Sequence, residues 1–374
     1  MRKLLEVLKV LLLLCCLAVT TRASATDVWV NPAPFPVGMD TWFGSVYNTS
    51  AQHDYRLRVG GWGDEYDTLL RFNLSGLPQV ADHAYIYLYP IADDGTTTYI
   101  MWYLLSTQWH SGVVTWGTQP AGAFLGYTAP PTVGTWYAID FTTQYNTWRS
   151  GNPSTANYGL KLRPYQTNNN FSSFYSSTQG GGYGPWLYVS YTPQSNDNIL
   201  KLKWPLATSY ANRVPTQPFG VDWAGGVYCN GLIEKHNGTD FQATAGTGIY
   251  AAEDGIVKQV LTPEQTGGWA YNIVLEHNYP QGGKYTTVYW HVIPTSDVIS
   301  SNPDGFIPKG TQIATVADLT PYGHATHFHF GVRIGAYDAS ASGTGALPQT
   351  NCGGHPTFPA GFIDPNNTNN VLFQ

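Results

Sequence analysis

Between clusters of Gly, Pro and Asn, the apolar residues of this 374-residue chain recur at every second position, and that spacing confines it to strands and turns. Ala84, Ile86 and Leu88 fall on one face of an extended segment, with Tyr85, Tyr87 and Tyr89 on the other. Residues 69–74, 135–141 and 186–191 repeat the theme. Several short strands at this spacing predict a β-sandwich of the jelly-roll sort over residues 26–192, with one short helix near 142–148. Beyond residue 198 the strands continue. Gly255-Ile256-Val257-Lys258-Gln259-Val260 follows an acidic turn at Glu253-Asp254. Residues 273–277 and 285–290 are joined through Pro280-Gln281-Gly282-Gly283, a hairpin signal. No segment of this half carries a helical period, so the whole chain is expected to be all-β.

Arg2, Lys3 and Lys9 give the chain a basic start, Val10 to Val19 is apolar, and Ala23-Ser24-Ala25 has the small-x-small pattern of a cleavage site. Residues 1–25 therefore read as a signal peptide cleaved after Ala25, and the protein as secreted. The apolar run is well short of the ~20 residues a membrane span needs. Losing Arg2, Lys3, Lys9, Arg22 and Glu6 with the leader leaves 14 basic and 23 acidic residues, net −9. That balance argues against nucleic acid and against an electrostatic membrane surface as partners. Cys229 and Cys352 remain in an oxidising compartment, so one disulfide is the default expectation. A zinc–thiolate pair is the rival, without CxxC spacing to support it.

A mature chain of about 350 residues is more than one core usually takes. The polar, turn-rich stretch at 193–198 reads as a linker between residues 26–192 and 199–374. Seven of the ten histidines follow it and nine of the thirteen tryptophans precede it, which predicts that chemistry and surface targeting belong to different halves.

Three segments hold the residue types that chemistry needs: His236-Asn237-Gly238-Thr239-Asp240, Tyr289-Trp290-His291 and His327-Phe328-His329. His327 and His329 lie at i and i+2 of an apolar strand whose other face is Phe328, Phe330 and Val332. Both imidazoles therefore point one way, with Cβ atoms roughly 6–7 Å apart, so one can reach a metal and the other a substrate. In a straight strand His236 and Asp240 would be ~13 Å apart, too far to share an ion with ligand atoms at ~2 Å. The backbone must curl, and Asn237-Gly238 gives it the means. Two imidazole nitrogens and a carboxylate oxygen suit zinc, and three protein ligands leave a fourth position open to water.

Residues 204–365 resemble the lysostaphin-like (LytM-type) zinc endopeptidases, which cut peptide cross-links in bacterial cell walls. The resemblance runs through Trp204-Pro205-Leu206, Phe219-Gly220, the HxGxD of His236 to Asp240 and Ala245-Gly246-Thr247. It continues through Thr287-Val288-Tyr289-Trp290-His291, Pro308-Lys309-Gly310, His327-Phe328-His329-Phe330 and Gly361-Phe362-Ile363-Asp364-Pro365. It implies zinc held by His236, Asp240 and His329, with His327 and His291 as uncoordinated catalytic histidines. The family's last motif usually opens Gly-Pro, where this chain has Ala325-Thr326. Peptidoglycan cross-bridges are the implied substrate. Two alternatives stay open: an extracellular protease acting on Gly-rich proteins, and a non-catalytic wall-binding protein on a degenerate peptidase fold. The first half resembles DNRLRE-type β-sandwich modules of secreted proteins, through Asp67 to Leu74, Ala84 to Tyr89, Val114-Thr115-Trp116, Trp136 to Phe141, Trp148 and Asn157 to Leu160. Some of those modules bind polysaccharide. Trp116 and Trp148 are read as packing residues, and Tyr85, Tyr87 and Tyr89 either as rings able to stack on sugars or as plain solvent-facing or inter-domain residues.

Overall fold

The computed structural model describes residues 25–33, 37–93, 95–150, 152–179, 181–193, 199–220, 222–228, 232–280, 282–339 and 361–374. The leader up to residue 24, linker residues 194–198, and both Cys229 and Cys352 lie outside them. No helix among the described residues is long and apolar enough to cross a membrane.

The all-β expectation holds. Thr26–Val30, Trp186–Tyr191, His83–Leu88 and Tyr137–Asp140 pair in that order as a four-stranded antiparallel sheet. Its period-two pattern sorts the residues: Ala84, Ile86, Leu88, Leu187 and Val189 are buried, and Tyr85, Tyr87 and Tyr188 stand half-buried on the outer face. A seven-stranded sheet contributes Leu70, Ile100, Trp102, Leu160 and Leu162 to the same core, giving a sandwich. The expected helix is present at Thr142–Arg149, and it seats Tyr145 and Trp148 in that core. Trp148 is thus a packing residue. The apolar run at 69–74 ends its strand early, at Leu70. Arg71, the next residue, is fully buried with its guanidinium 4.3 Å from the Trp109 ring and 4.6 Å from Phe306.

The second half is built on a ten-stranded sheet. Its spine runs Pro215–Gln217, Thr239–Gln242, His327–Ile334, Lys284–Pro294, Tyr271–Asn278, Gly255–Leu261, Phe306–Ile307. The anticipated hairpin between Tyr271–Asn278 and Lys284–Pro294 forms, with Val274 opposite Val288. Phe241, Phe328, Phe330 and Val332 pack with Trp204, Leu206 and Tyr289 on one side of the sheet. Leu200–Leu202 and Val371–Phe373 pair in parallel, bringing Leu200, Leu202 and Val371 into that core. A five-residue helix, Ser296–Ser300, has no periodic signal in the sequence and was not expected.

The acidic turn at Glu253-Asp254 is not a solvated loop. It is buried where the two halves meet. Arg149 Nη1 lies 2.6 Å from Glu253 Oε1, and Lys309 Nζ lies 3.7 Å from Glu253 Oε2. Asp254 accepts hydrogen bonds from the backbone N–H of Leu74 (3.1 Å), from Asn157 Nδ2 (3.0 Å) and from the N–H of Lys309 (2.7 Å). Burial alone would push the Glu253 carboxyl up, but the Arg149 and Lys309 charges outweigh it and hold it below the usual range. Removing one partner of such a pair leaves a charge buried and uncompensated, at a cost of roughly 3–5 kcal/mol, whereas replacing both can be near neutral. Separating the halves would strand the same groups.

Denaturant unfolding of Arg149→Met, Glu253→Leu and the double substitution tests this coupling. Each single change should destabilise the protein by about 3 kcal/mol or more, and the double by clearly less than the sum. Additive losses would mean that the pair does not tie the halves together.

Candidate metal centre

The strand His327–Ile334 lies between Thr239–Gln242 on one side and Lys284–Pro294 on the other. Register sets the site. Asp240 is directly opposite His329, and Gln242 is opposite His327. Cross-strand partners share a face, so Asp240 Oδ1 reaches to 3.0 Å from His329 Nδ1. Between His236 and Thr239 the chain bends at Asn237-Gly238, bringing His236 Nε2 to 3.1 Å from the same carboxylate oxygen and 2.9 Å from His329 Nδ1. The curl that the spacing required is present.

Gly238 is needed there for space. A Cβ at that position would fall 2.6 Å from His329 Nε2 and 2.5 Å from the Phe330 carbonyl oxygen. One contact is a ring packed under the site and the other is backbone, so neither yields cheaply.

His291 reaches the site by a different device. Alternation would aim it away from Trp290 and into the core, but the pairing shifts register between Tyr271 and Asn272, and His291 takes a left-handed φ of 63°. The bulge turns its ring to stack on Trp290, with centroids 4.4 Å apart, and to meet the His327 ring edge-on at 4.4 Å. His327 Nε2 sits 3.5 Å from Asp240 Oδ2. All five candidate residues are therefore drawn into one cluster. His327 is the most exposed of them, and the other four are buried.

The ring protons are assigned by what each histidine touches. A carbonyl can only accept, so His236 donates its Nδ1–H to Pro218 O (3.0 Å), His327 donates its Nδ1–H to Ala325 O (2.8 Å) and His291 donates its Nδ1–H to Trp269 O (3.0 Å). In the neutral rings each Nε2 is left as a lone pair. These carbonyl partners carry no sequence signal, because any residue type supplies one. His236 Nε2 and the Asp240 carboxylate thus face a common point beside His329 Nδ1, an acceptor-rich pocket that a cation would satisfy. The three ligand atoms all lie within 4.8 Å of one another. Burial would raise the Asp240 carboxyl, but the His236 and His329 imidazoles packed against it prevail and hold it well below the usual carboxylate range. Burial pushes His329 down to about 4, against the pull of Asp240. It also pushes His291 well below its ordinary value, helped by the nearby His327 and His329.

Two further histidines in this half have structural roles. His324 stacks on Trp269 at 3.9 Å in the loop before the strand, and His277 is a core residue between the Asp254 carbonyl and the Thr287 hydroxyl. Where Ala325-Thr326 replaces the usual Gly-Pro, the Thr326 hydroxyl accepts the Leu319 N–H at 3.1 Å and anchors the approach to the strand.

Residues 234–341 match peptidase family M23, and residues 19–190 match carbohydrate-binding module family 96. The chain thus carries an M23 peptidase domain behind a family 96 module; the DNRLRE-type assignment is narrower than that match. Among curated proteins it is 29% identical over 150 residues to the tRNA3(Ser)-specific nuclease WapA of Bacillus spizizenii, 39% of this chain and 6% of that protein. It is 31% identical over 104 residues to an uncharacterized metalloprotease of Haemophilus influenzae, 28% of this chain and 20% of that one. It spans 6% of the length of the WapA relatives it matches. Among solved structures, the catalytic domain of lysostaphin from Staphylococcus simulans aligns at 20% identity and TM-score 0.27, covering 37% of this chain and 90% of that one. A zinc-containing peptidase from Vibrio cholerae aligns at 18% and 0.28, covering 63% and 75%.

Gly238→Ala should lower both bound metal and melting temperature, because the His329 ring and its backbone must move. Metal content equal to that of the parent protein, measured by atomic absorption, would contradict this reading of the glycine.

Proposed function

We propose that this chain is a secreted zinc metalloendopeptidase that hydrolyses peptide bonds in bacterial peptidoglycan cross-bridges. In this reading His236, Asp240 and His329 are the metal ligands, His327 is the general base, and His291 positions the water. The observation that carries it is the triangle of His236 Nε2, His329 Nδ1 and Asp240 Oδ1, with sides of 2.9, 3.0 and 3.1 Å. Tetrahedral bonds of ~2.1 Å separate ligand atoms by about 3.4 Å, so a few tenths of an ångström of spreading admits the ion. Two nitrogens and one oxygen favour zinc over magnesium or calcium, which take more oxygens.

Zinc held there would supply Lewis acidity, polarising the scissile carbonyl and bringing the pKa of water down from 15.7 to about 7. The remaining work belongs to the chain. His327, its Nδ1–H tied to Ala325, presents an unprotonated Nε2 that accepts the proton of the attacking water and returns it to the leaving amine. His291 has its proton committed to Trp269, and burial opposes a second. Its Nε2 therefore accepts a hydrogen bond from the water and does not donate to the oxyanion. The complete set of five groups argues against a degenerate fold that only binds.

The pairing of an M23 domain with a carbohydrate-binding family in one chain supports a substrate whose peptides hang from glycan. On this reading the sandwich binds polysaccharide and holds the peptidase against it. A partner nucleic acid is not assigned, since 23 acidic residues face 14 basic ones beyond the leader.

The division of roles has a direct test. Asp240→Ala should lose zinc on dialysis, whereas His327→Ala should keep it and lose about 10²–10⁴ in turnover. Zinc lost equally from both proteins would refute the separation of ligand from base. Mass spectrometry of digested peptidoglycan should show new amino termini within cross-bridges and intact glycan strands; products from a Gly-rich protein alone would move the substrate.

A further inference from the structure

The outer face of the four-stranded sheet is open and aromatic. In register, Trp29 lies opposite Tyr188, Tyr188 opposite Tyr85, and Trp186 opposite Tyr87. On the next strand Tyr87 faces Ala138, whose small side chain leaves a depression that Trp136 walls on the far side. Among the described residues, Trp29, Tyr87, Trp136 and Trp186 line this hollow of about 550 Å³, within the range of roughly 300–1,000 Å³ typical of ligand sites. Trp29 is 50% exposed and Trp136 39%, an expensive display of large apolar rings for a surface without an occupant.

The rings are held in place. Trp29 packs on Tyr188 at 4.8 Å and on Tyr87 at 5.3 Å, Trp136 meets Tyr89 at 5.2 Å, and the Trp186 Nε1–H donates to Gly182 O at 2.9 Å. Binding would therefore cost little further ordering of side chains.

Charge decides what fits. The four strands, TDVWV, WLYVSY, HAYIYL and YAID, contain neither Lys nor Arg. Their outward charged positions are Asp27 and Asp140, at the two outer strands. A polyuronate or phosphate-bearing chain would find these carboxylates, the imidazole of His83 beside Tyr85, and no Lys or Arg on the four strands. A neutral sugar ring with equatorial substituents presents a flat C–H face to the indoles and its hydroxyls to water.

We propose that Trp29, Tyr87, Trp136 and Trp186 form a stacking platform for a neutral pyranose polymer. The inference rests on the reading of the sandwich as a carbohydrate-binding module, and it specifies the site and the class of glycan. It is independent of the metal centre.

Isothermal titration of the full mature chain in EDTA, with cellohexaose, chitohexaose and alginate hexasaccharide in turn, tests it without hydrolysis. One of the neutral oligomers should bind, and Trp29→Ala/Trp136→Ala should weaken it at least tenfold while the melting temperature stays within a few degrees. Equal binding by parent and variant would overturn the platform and leave the module reading intact. Preference for alginate, weakened by salt, would overturn the neutral class. Binding of none of the three would remove the carbohydrate reading itself, most clearly if the protein instead dimerised through these tryptophans in sedimentation velocity.

Discussion

The antiparallel register between Thr239–Gln242 and His327–Ile334 places Asp240 against His329, and most of the site follows from it. The same strand anchors the core. Phe328, Phe330 and Val332 are fully buried on the face that His327 and His329 do not use. Burying each Phe contributes roughly 1.5–3 kcal/mol, and a one-residue slip would exchange phenylalanines for histidines on both faces. The core therefore enforces the alignment of the candidate metal ligands. Lys284–Pro294 braces the strand from the other side, and its bulge delivers His291 to the same pocket.

The second constraint lies between the halves. Glu253 and Asp254 are carboxylates in a place that tolerates charge only when it is paired, and their partners come from both sides: Arg149, Leu74 and Asn157 from the sandwich, Lys309 from the peptidase domain. This makes the linker a poor guide to independence. The sandwich is attached through a specific buried network as well as through the chain. Its aromatic sheet face is consequently carried in a fixed relation to the peptidase domain.

Much of this was legible in the amino-acid order because it depends on local spacing. The alternation of residues 84–89, the helix at Thr142–Arg149, the hairpin between Tyr271–Asn278 and Lys284–Pro294 and the shared face of His327 and His329 were all visible in local sequence. The need for a curl between His236 and Asp240 followed from distance alone. What was not legible depends on partners far along the chain. The aim of His291 comes from a bulge, the proton positions of three histidines from the carbonyls of Pro218, Trp269 and Ala325, and the role of Glu253 from an arginine over a hundred residues earlier. The aromatic face was half visible: Tyr85 and Tyr87 declared themselves by alternation, but Trp29, Trp136 and Trp186 join them only through sheet order. The disulfide expected of Cys229 and Cys352 lies outside the described residues.

The central claim is that His236, Asp240 and His329 hold a zinc ion through nitrogen and oxygen. Zinc K-edge X-ray absorption of the purified mature protein tests it most directly. The account predicts a four-coordinate first shell of light atoms at about 2.0–2.1 Å, with multiple-scattering features of two imidazoles that fall to one in His236→Ala. Scattering from sulfur at about 2.3 Å, which only a thiolate such as Cys229 or Cys352 would supply, would contradict it.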